Sequence, residues 1–278
     1  MKRPFIASLG LLVFSIILFS SCGSSNQIRS GDSLEEAFDK AVALYDRERY
    51  GDAASSFETV ITIGRGTDIG QEAQFLLAES YYKNRQYLLA AAEYQRYHTF
   101  FPRSERAADA QFQEALSYYQ ISPRYNLDQS DTYESIELFQ LFVNRHPEHS
   151  KADEAIAYID EMRAKLARKR FEAAEQYITL RNYRAAAVYY DITVDRFPET
   201  KWAERAQANK IRAYVIYADN SVRARQPERY EEAIEAYETY VQLFPRGDNR
   251  SLAEEFYNRA EEGLLETQPS EATAGTGS

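Results

Sequence analysis

The stretch AESYYKNRQYLLAAAEYQRYHTFFP, Ala78 to Pro102, holds five tyrosines, no glycine and a proline that closes it. Within it Tyr87, Ala90 and Tyr94 stand at offsets zero, three and seven, which lie on one face of an α-helix. The spacing returns at Tyr50, Ala53 and Phe57, at Tyr183, Ala186 and Tyr190, and at Tyr230, Ala233 and Tyr237. A small residue between two rings lets a neighbouring helix approach while the rings fill the space on either side. Prolines then close the units at Pro102, Pro147, Pro198 and Pro245, three of them preceded by phenylalanine (Phe101, Phe197, Phe244). Proline lacks the N–H that a helix interior needs, so it stops the helix and turns the chain. No glycine occurs between Gly70 and Gly247, although sheet bends and tight turns usually recruit it. The expected fold class is all-α, and a glycine-rich phosphate loop is excluded from the body of the chain.

Such a unit resembles the tetratricopeptide repeat, a helix-turn-helix module of about 34 residues. The stretch from Gln71 to Ser104 fits it without a gap, and another from about Ala167 fits through Ala174, Tyr177, Tyr183, Ala186, Tyr190 and Pro198. About five such units make a tetratricopeptide-repeat solenoid. The first ends in Gly64-Arg65-Gly66 instead of a proline, and the third has Thr132 and Ser135 where ring and alanine stand elsewhere. The third and fifth units are also longer. Tyr119 to Thr132 and Tyr217 to Tyr230 each span 13 residues, against five from Tyr82 to Tyr87. The extra residues, with Pro123 and Pro227, are expected to project as loops from one edge. Lys151 to Arg181 has neither proline nor glycine and is rich in good helix formers, so it reads as one helix of about 30 residues. That helix is expected to join units one to three, residues 34–150, to units four and five, residues 151–265. The tail, 266–278, is small and polar and is expected to be disordered.

Residues 1–21 are a different text. Lys2 and Arg3 precede an apolar run from Phe5 to Phe19, then Ser20, Ser21 and Cys22, the only cysteine. This is the layout of a secretory signal, and the small residues before Cys22 resemble the lipobox of bacterial lipoproteins. Phe19 departs mildly from the leucine usual there. The apolar run falls short of the ~20 residues of a spanning helix. Cys22 is therefore the expected lipidation site, carrying diacylglycerol and an N-acyl chain such as palmitate, and no cofactor is expected. Residues 22–33 read as a flexible tether. No cysteine then remains for a disulfide, so packing alone must hold the fold. Removing Lys2 and Arg3 leaves 31 basic against 43 acidic residues, a net of −12. That balance opposes nucleic-acid binding.

Aligning the first helix of each early unit exposes a second aromatic set. Phe38, Phe75 and Phe112 are spaced by 37, and so are Tyr45, Tyr82 and Tyr119. In tetratricopeptide solenoids these positions generally face the concave groove, where a ladder of rings offers apolar area and hydroxyls to an extended peptide. Packing between repeats is the competing reading. Arg223, Arg225 and Arg229 in the fifth-unit insertion form a basic loop that suits an acidic partner. Catalytic candidates are thin. His146 and His149 flank Pro147 without a third ligand at a metal-binding offset, there is no G-x-S-x-G elbow, and the many carboxylates read as solvated helix faces. Trp202 stands alone at the start of a helix, where packing is the simplest role. No enzyme and no metal site are expected.

Lipobox, five units, long joining helix, the opening RYGDAASSFETVI (Arg49 to Ile61) and the Phe-Pro-x-Ser/Thr endings together resemble the BamD family. Endings of that kind are Phe101 to Ser104 and Phe197 to Thr200. This family is the lipoprotein component of the outer-membrane β-barrel assembly machinery (the BAM complex). The resemblance implies a non-enzymatic scaffold tethered by lipid to the periplasmic face of the outer membrane. Its carboxy-terminal units would dock on the POTRA domains of BamA. Its amino-terminal groove would receive unfolded outer-membrane β-barrel proteins. Gly23 after the lipidated cysteine carries no acidic retention signal, which agrees with the outer membrane. The alternatives are another periplasmic repeat lipoprotein, such as a pilotin or a cell-envelope coordinator, and a glycan-binding helical lipoprotein.

Overall fold

A computed structural model describes residues 27–267; Cys22, the signal segment and residues 268–278 lie outside the described residues. Among the described residues there are eleven α-helices and no strand. They are α1 (Leu34–Asp46), α2 (Tyr50–Ile63), α3 (Asp68–Lys83), α4 (Tyr87–Phe100), α5 (Ala107–Ile121), α6 (Ser130–Arg145), α7 (Ala152–Thr179), α8 (Tyr183–Arg196), α9 (Lys201–Asp219), α10 (Gln226–Leu243) and α11 (Arg250–Thr267). The chain divides into two compact units, the first ending at Pro102 and the second beginning at Arg103. Within each unit a helix packs against the next, and α1 also meets α3, α7 meets α9, and α9 meets α11. This is the tetratricopeptide arrangement, with α11 as a closing helix.

The repeat positions explain the packing. Ala53, Ala90, Ala186 and Ala233 are all fully buried, and so are Phe57, Tyr94 and Tyr190 seven positions after each opening tyrosine or its equivalent. Ser135 takes the alanine place in α6 and is equally buried; its hydroxyl donates to the Ala115 carbonyl at 2.9 Å. Satisfying that hydroxyl removes the penalty of a buried polar group. Four of the five second helices are capped by the residue before a proline. Phe101, His146, Phe197 and Phe244 are the C-caps of α4, α6, α8 and α10, with φ between −121° and −138°. The proline ring disfavours helical backbone there.

At the amino-terminal edge Ser33 and Glu36 form a capping box on α1, which satisfies two otherwise unpaired N–H groups. The tether expected to be flexible is partly ordered. Ile28 packs against the first unit's core, and Asp32 accepts from the Arg29 N–H and pairs with Lys40 at 2.6 Å.

The compact units do not divide at residue 150. α5 and α6 lie in the same compact unit as α7, because the long helix is shared: Phe139 of α6 stacks on Tyr158 of α7 at 5.3 Å, and Lys151 pairs with Asp109 of α5 at 2.8 Å. The long helix itself spans 28 residues. Of the expected tail, residues 266 and 267 belong to α11, and the Glu266 carbonyl accepts from Arg223; the rest lies outside the described residues.

Candidate functional site

In the first unit Tyr45 and Tyr82 end α1 and α3, and each meets the tyrosine that opens the following helix. Tyr45 lies edge-on to Tyr50 at 5.4 Å, and Tyr82 edge-on to Tyr87 at 5.3 Å, both at 70°. The turn between them repeats as well. Glu48 and Arg85 have φ of +58° and +61°, and the N–H groups of Arg49 and Gln86 return to the carbonyls of Leu44 and Tyr81. Both pairs are half-buried, so part of each ring's surface stays open. Burial, followed by the nearby Glu79 carboxylate, pushes the Tyr45 phenol well above its usual range.

The phenylalanines of the expected ladder behave differently. Phe75 is buried and meets Tyr94 and Tyr97 edge-on at 5.7 and 5.2 Å. In the second unit Phe112 is buried against Phe139 and Phe142, at 5.4 and 5.5 Å. Phe38 is half-buried and packs 6.2 Å from Phe57. Phe75 and Phe112 are therefore core rings, a correction to the groove expected of them. Helix α4 closes over the first, and α6 over the second. Tyr119, at the end of α5, is half-buried; its hydroxyl donates to Glu161 at 2.8 Å and its ring lies 4.5 Å from Tyr158. Burial and Glu161 push its phenol up to about 12. The partner rings Tyr50 and Tyr87 were legible in the sequence through the same 37-residue period. Tyr158 was not, because it sits on the non-repeating first half of α7.

The two insertions are folded down instead of projecting freely. In 122–129 the buried Gln129 amide donates to the carbonyls of Arg124, Leu127 and Asp128. Lys165 and Lys169 of α7 bond Ser122 and the Leu127 carbonyl, and Arg168 lies 4.2 Å over the Tyr125 ring. In the fifth unit each expected partner arginine has a contact within the chain. Arg223 donates to the Glu266 carbonyl at 3.0 Å, Arg225 pairs with Glu228 at 3.0 Å, and Arg229 bonds Ser221 and stacks 3.6 Å over Tyr217. Arg223 and Arg225 remain exposed.

His146 Nε2–H donates to Gln111 Oε1 (3.1 Å), and His149 Nδ1 accepts from the Lys151 N–H. Among the described residues no group of three His, Cys, Asp or Glu is placed to hold a metal, and no helix is long and apolar enough to cross a membrane. Trp202 packs on Phe171 at 5.2 Å.

Residues 31–228 match the model of the family described as YfiO, outer membrane lipoprotein. The chain belongs to the YfiO family. Relatives within reach include the outer membrane protein assembly factor BamD of Rickettsia prowazekii (strain Madrid E). It is 25% identical over 209 residues, 74% of this chain and 82% of that one. The putative outer membrane protein assembly factor BamD of Aquifex aeolicus (strain VF5) is 25% identical over 229 residues, 82% and 74% of the two chains. Among solved structures, the tetratricopeptide domain of P58(IPK) aligns at TM-score 0.41 and 15% identity, covering 96% of this chain and 72% of that one. Within this YfiO-family chain the match spans α1 to the start of α10, and thus Phe38, Tyr45, Phe75, Tyr82, Phe112 and Tyr119.

Proposed function

We propose that this chain is a non-enzymatic scaffold of outer-membrane β-barrel assembly. In this reading it is anchored through lipidated Cys22 and held on the periplasmic face. It binds unfolded outer-membrane proteins and the POTRA domains of a BamA-type partner, and makes or breaks no bond. The observation that carries the reading is the family match over residues 31–228, joined by two relatives named as outer membrane protein assembly factors.

The half-buried tyrosines supply a physical route. Tyr45 with Tyr50, Tyr82 with Tyr87, and Tyr119 with Tyr158 each offer an aromatic surface with a polar tip, the chemistry that holds an extended, ring-bearing peptide. The exposed Arg223 and Arg225 between α9 and α10 remain the proposed contact with an acidic partner surface, with Arg229 bracing that loop from Tyr217.

Affinity purification of the lipidated protein from its own envelope tests the function. A barrel protein with POTRA repeats at near-equal amount is expected; secretin, cell-wall or transporter subunits in its place would overturn the reading. The ligand surface has its own test. Tyr82→Ala with Tyr119→Ala is expected to weaken binding of peptides from barrel carboxy termini by about thirtyfold, at about 1 kcal/mol per ring, with the helical fold retained. Undiminished binding would remove both rings from the site.

A further inference from the structure

The second unit carries a concave feature that none of the sites above uses. A cleft of about 350 Å³ opens between α6, α7 and α8 over Ile136, Leu166, Ile192 and Phe197. Leu166 and Phe197 are buried in a small core that Ile136 and Trp202 complete, so the floor is fixed by packing. Tyr133 stands at the mouth, 50% exposed.

Three guanidiniums line the rim: Arg163, Arg170 and Arg196. Arg163 is engaged. It bonds both oxygens of Glu199 and the Arg196 carbonyl, and lies 5.4 Å over the Phe197 ring. The guanidiniums of Arg170 and Arg196 make no ion pair or hydrogen bond among the described residues. Arg49, Arg96, Arg212, Arg250 and Arg259, by contrast, each hold a carboxylate.

Two unmatched cations beside an apolar floor are complementary to carboxylates flanking an apolar group, and they disfavour a basic ligand. Arg163 and Arg170 lie seven residues apart and spread the rim over about 10 Å of α7. An extended chain covers that length in about three residues, whereas a single small anion does not. We infer that this cleft is a docking site for an extended segment of a protein partner, in which one large apolar side chain is flanked by carboxylates. The inference stands on the cleft alone and is independent of the function proposed above.

The probe is a terminally blocked, fluorescein-labelled peptide, Gly-Glu-Ala-Phe-Glu-Gly, titrated by anisotropy against the full-length protein in detergent. Saturable binding is expected, and Arg170→Glu with Arg196→Glu is expected to weaken it by about tenfold or more. The same peptide with lysines for its glutamates is expected to bind the reversed protein better than the unaltered one. Neither guanidinium holds a partner, so the double variant should keep its thermal transition; if it does not, Arg170→Gln and Arg196→Gln taken singly carry the test, each weakening binding several-fold. Equal binding to unaltered and reversed proteins, or no saturation, overturns the inference. So does a gain in affinity on deleting residues 268–278, which would make the chain's own tail the occupant. Loss of a self-association in the reversed protein would assign the cleft to a second copy and overturn it likewise.

Discussion

Glu175 shows how much one side chain can hold. Arg212 of α9 sends two N–H bonds into its carboxylate, at 2.7 and 2.8 Å, and the fully buried Tyr190 of α8 donates its hydroxyl to the same group. Three helices therefore meet on one acid. Burial, then Glu175 itself, raises the Tyr190 phenol far above its usual range. Glu175→Ala would leave a half-buried guanidinium and a buried hydroxyl unmatched, and is expected to cost about 2–3 kcal/mol. Glu175→Gln, which keeps an acceptor, should cost less; urea unfolding of both variants checks the order. The residue scale is also where the sequence was least readable. Phe75 and Tyr82 are seven apart on one helix face, so periodicity could not separate them. Depth along α3 does so in the structure: Phe75 lies mid-helix beneath Tyr94 and Tyr97, while Tyr82 sits at the open end.

At the scale of elements, the turns inside the repeats share one device. Glu48, Arg85 and Arg181 adopt left-handed backbone, φ +58°, +61° and +57°, two residues before the next helix begins at a tyrosine. A side chain there is strained by about 1 kcal/mol, and glycine is not. Arg85 is exposed, so Arg85→Gly is expected to stabilise by up to about 1 kcal/mol, read as a higher urea midpoint; a lower midpoint would mean the arginine side chain contributes more than its backbone costs. The turn after the first repeat has a different solution. It lacks a proline, and Gly64 caps α2 while Gly70 opens α3 against it. A Cβ on Gly70 would stand 2.1 Å from the Gly64 carbonyl oxygen. Gly70→Ala must push two backbones apart, at about 2–3 kcal/mol. Hydrogen exchange should quicken across residues 34–100 and keep its rates across 107–267, since the contact lies inside the first compact unit.

For the whole molecule, 22 tyrosines make alkaline stability the revealing measurement. Burial, reinforced by Glu58, Glu161, Glu232 and Asp219 respectively, pushes the phenols of Tyr81, Tyr119, Tyr214 and Tyr230 up to about 12 from 10. Above pH 10 the unfolded phenols lose protons that the folded ones keep, so deprotonation favours the unfolded chain. The stability these groups contribute is present below pH 10 and is lost as pH rises through 12. The unfolding temperature should hold from about pH 7 to 9.5 and fall steadily beyond, tracked by circular dichroism beside a spectrophotometric tyrosine titration. A melting temperature that holds past pH 11 would mean that the phenols ionise equally in both states.

The sequence by itself determined the helices, their ends and the repeat. Offsets of zero, three and seven, the pre-proline stops and the absence of glycine are local constraints, and local constraints act wherever those residues stand. It also marked the turn at Gly64 to Gly66 as exceptional. Only the tertiary structure decided which aromatic rings close a core and which stay open, that the insertions fold down onto α7 and α11, and that the first compact unit ends at Pro102. Those outcomes depend on which helix covers which face. A 37-residue period gives the same reading for a ring that is covered and a ring that is not.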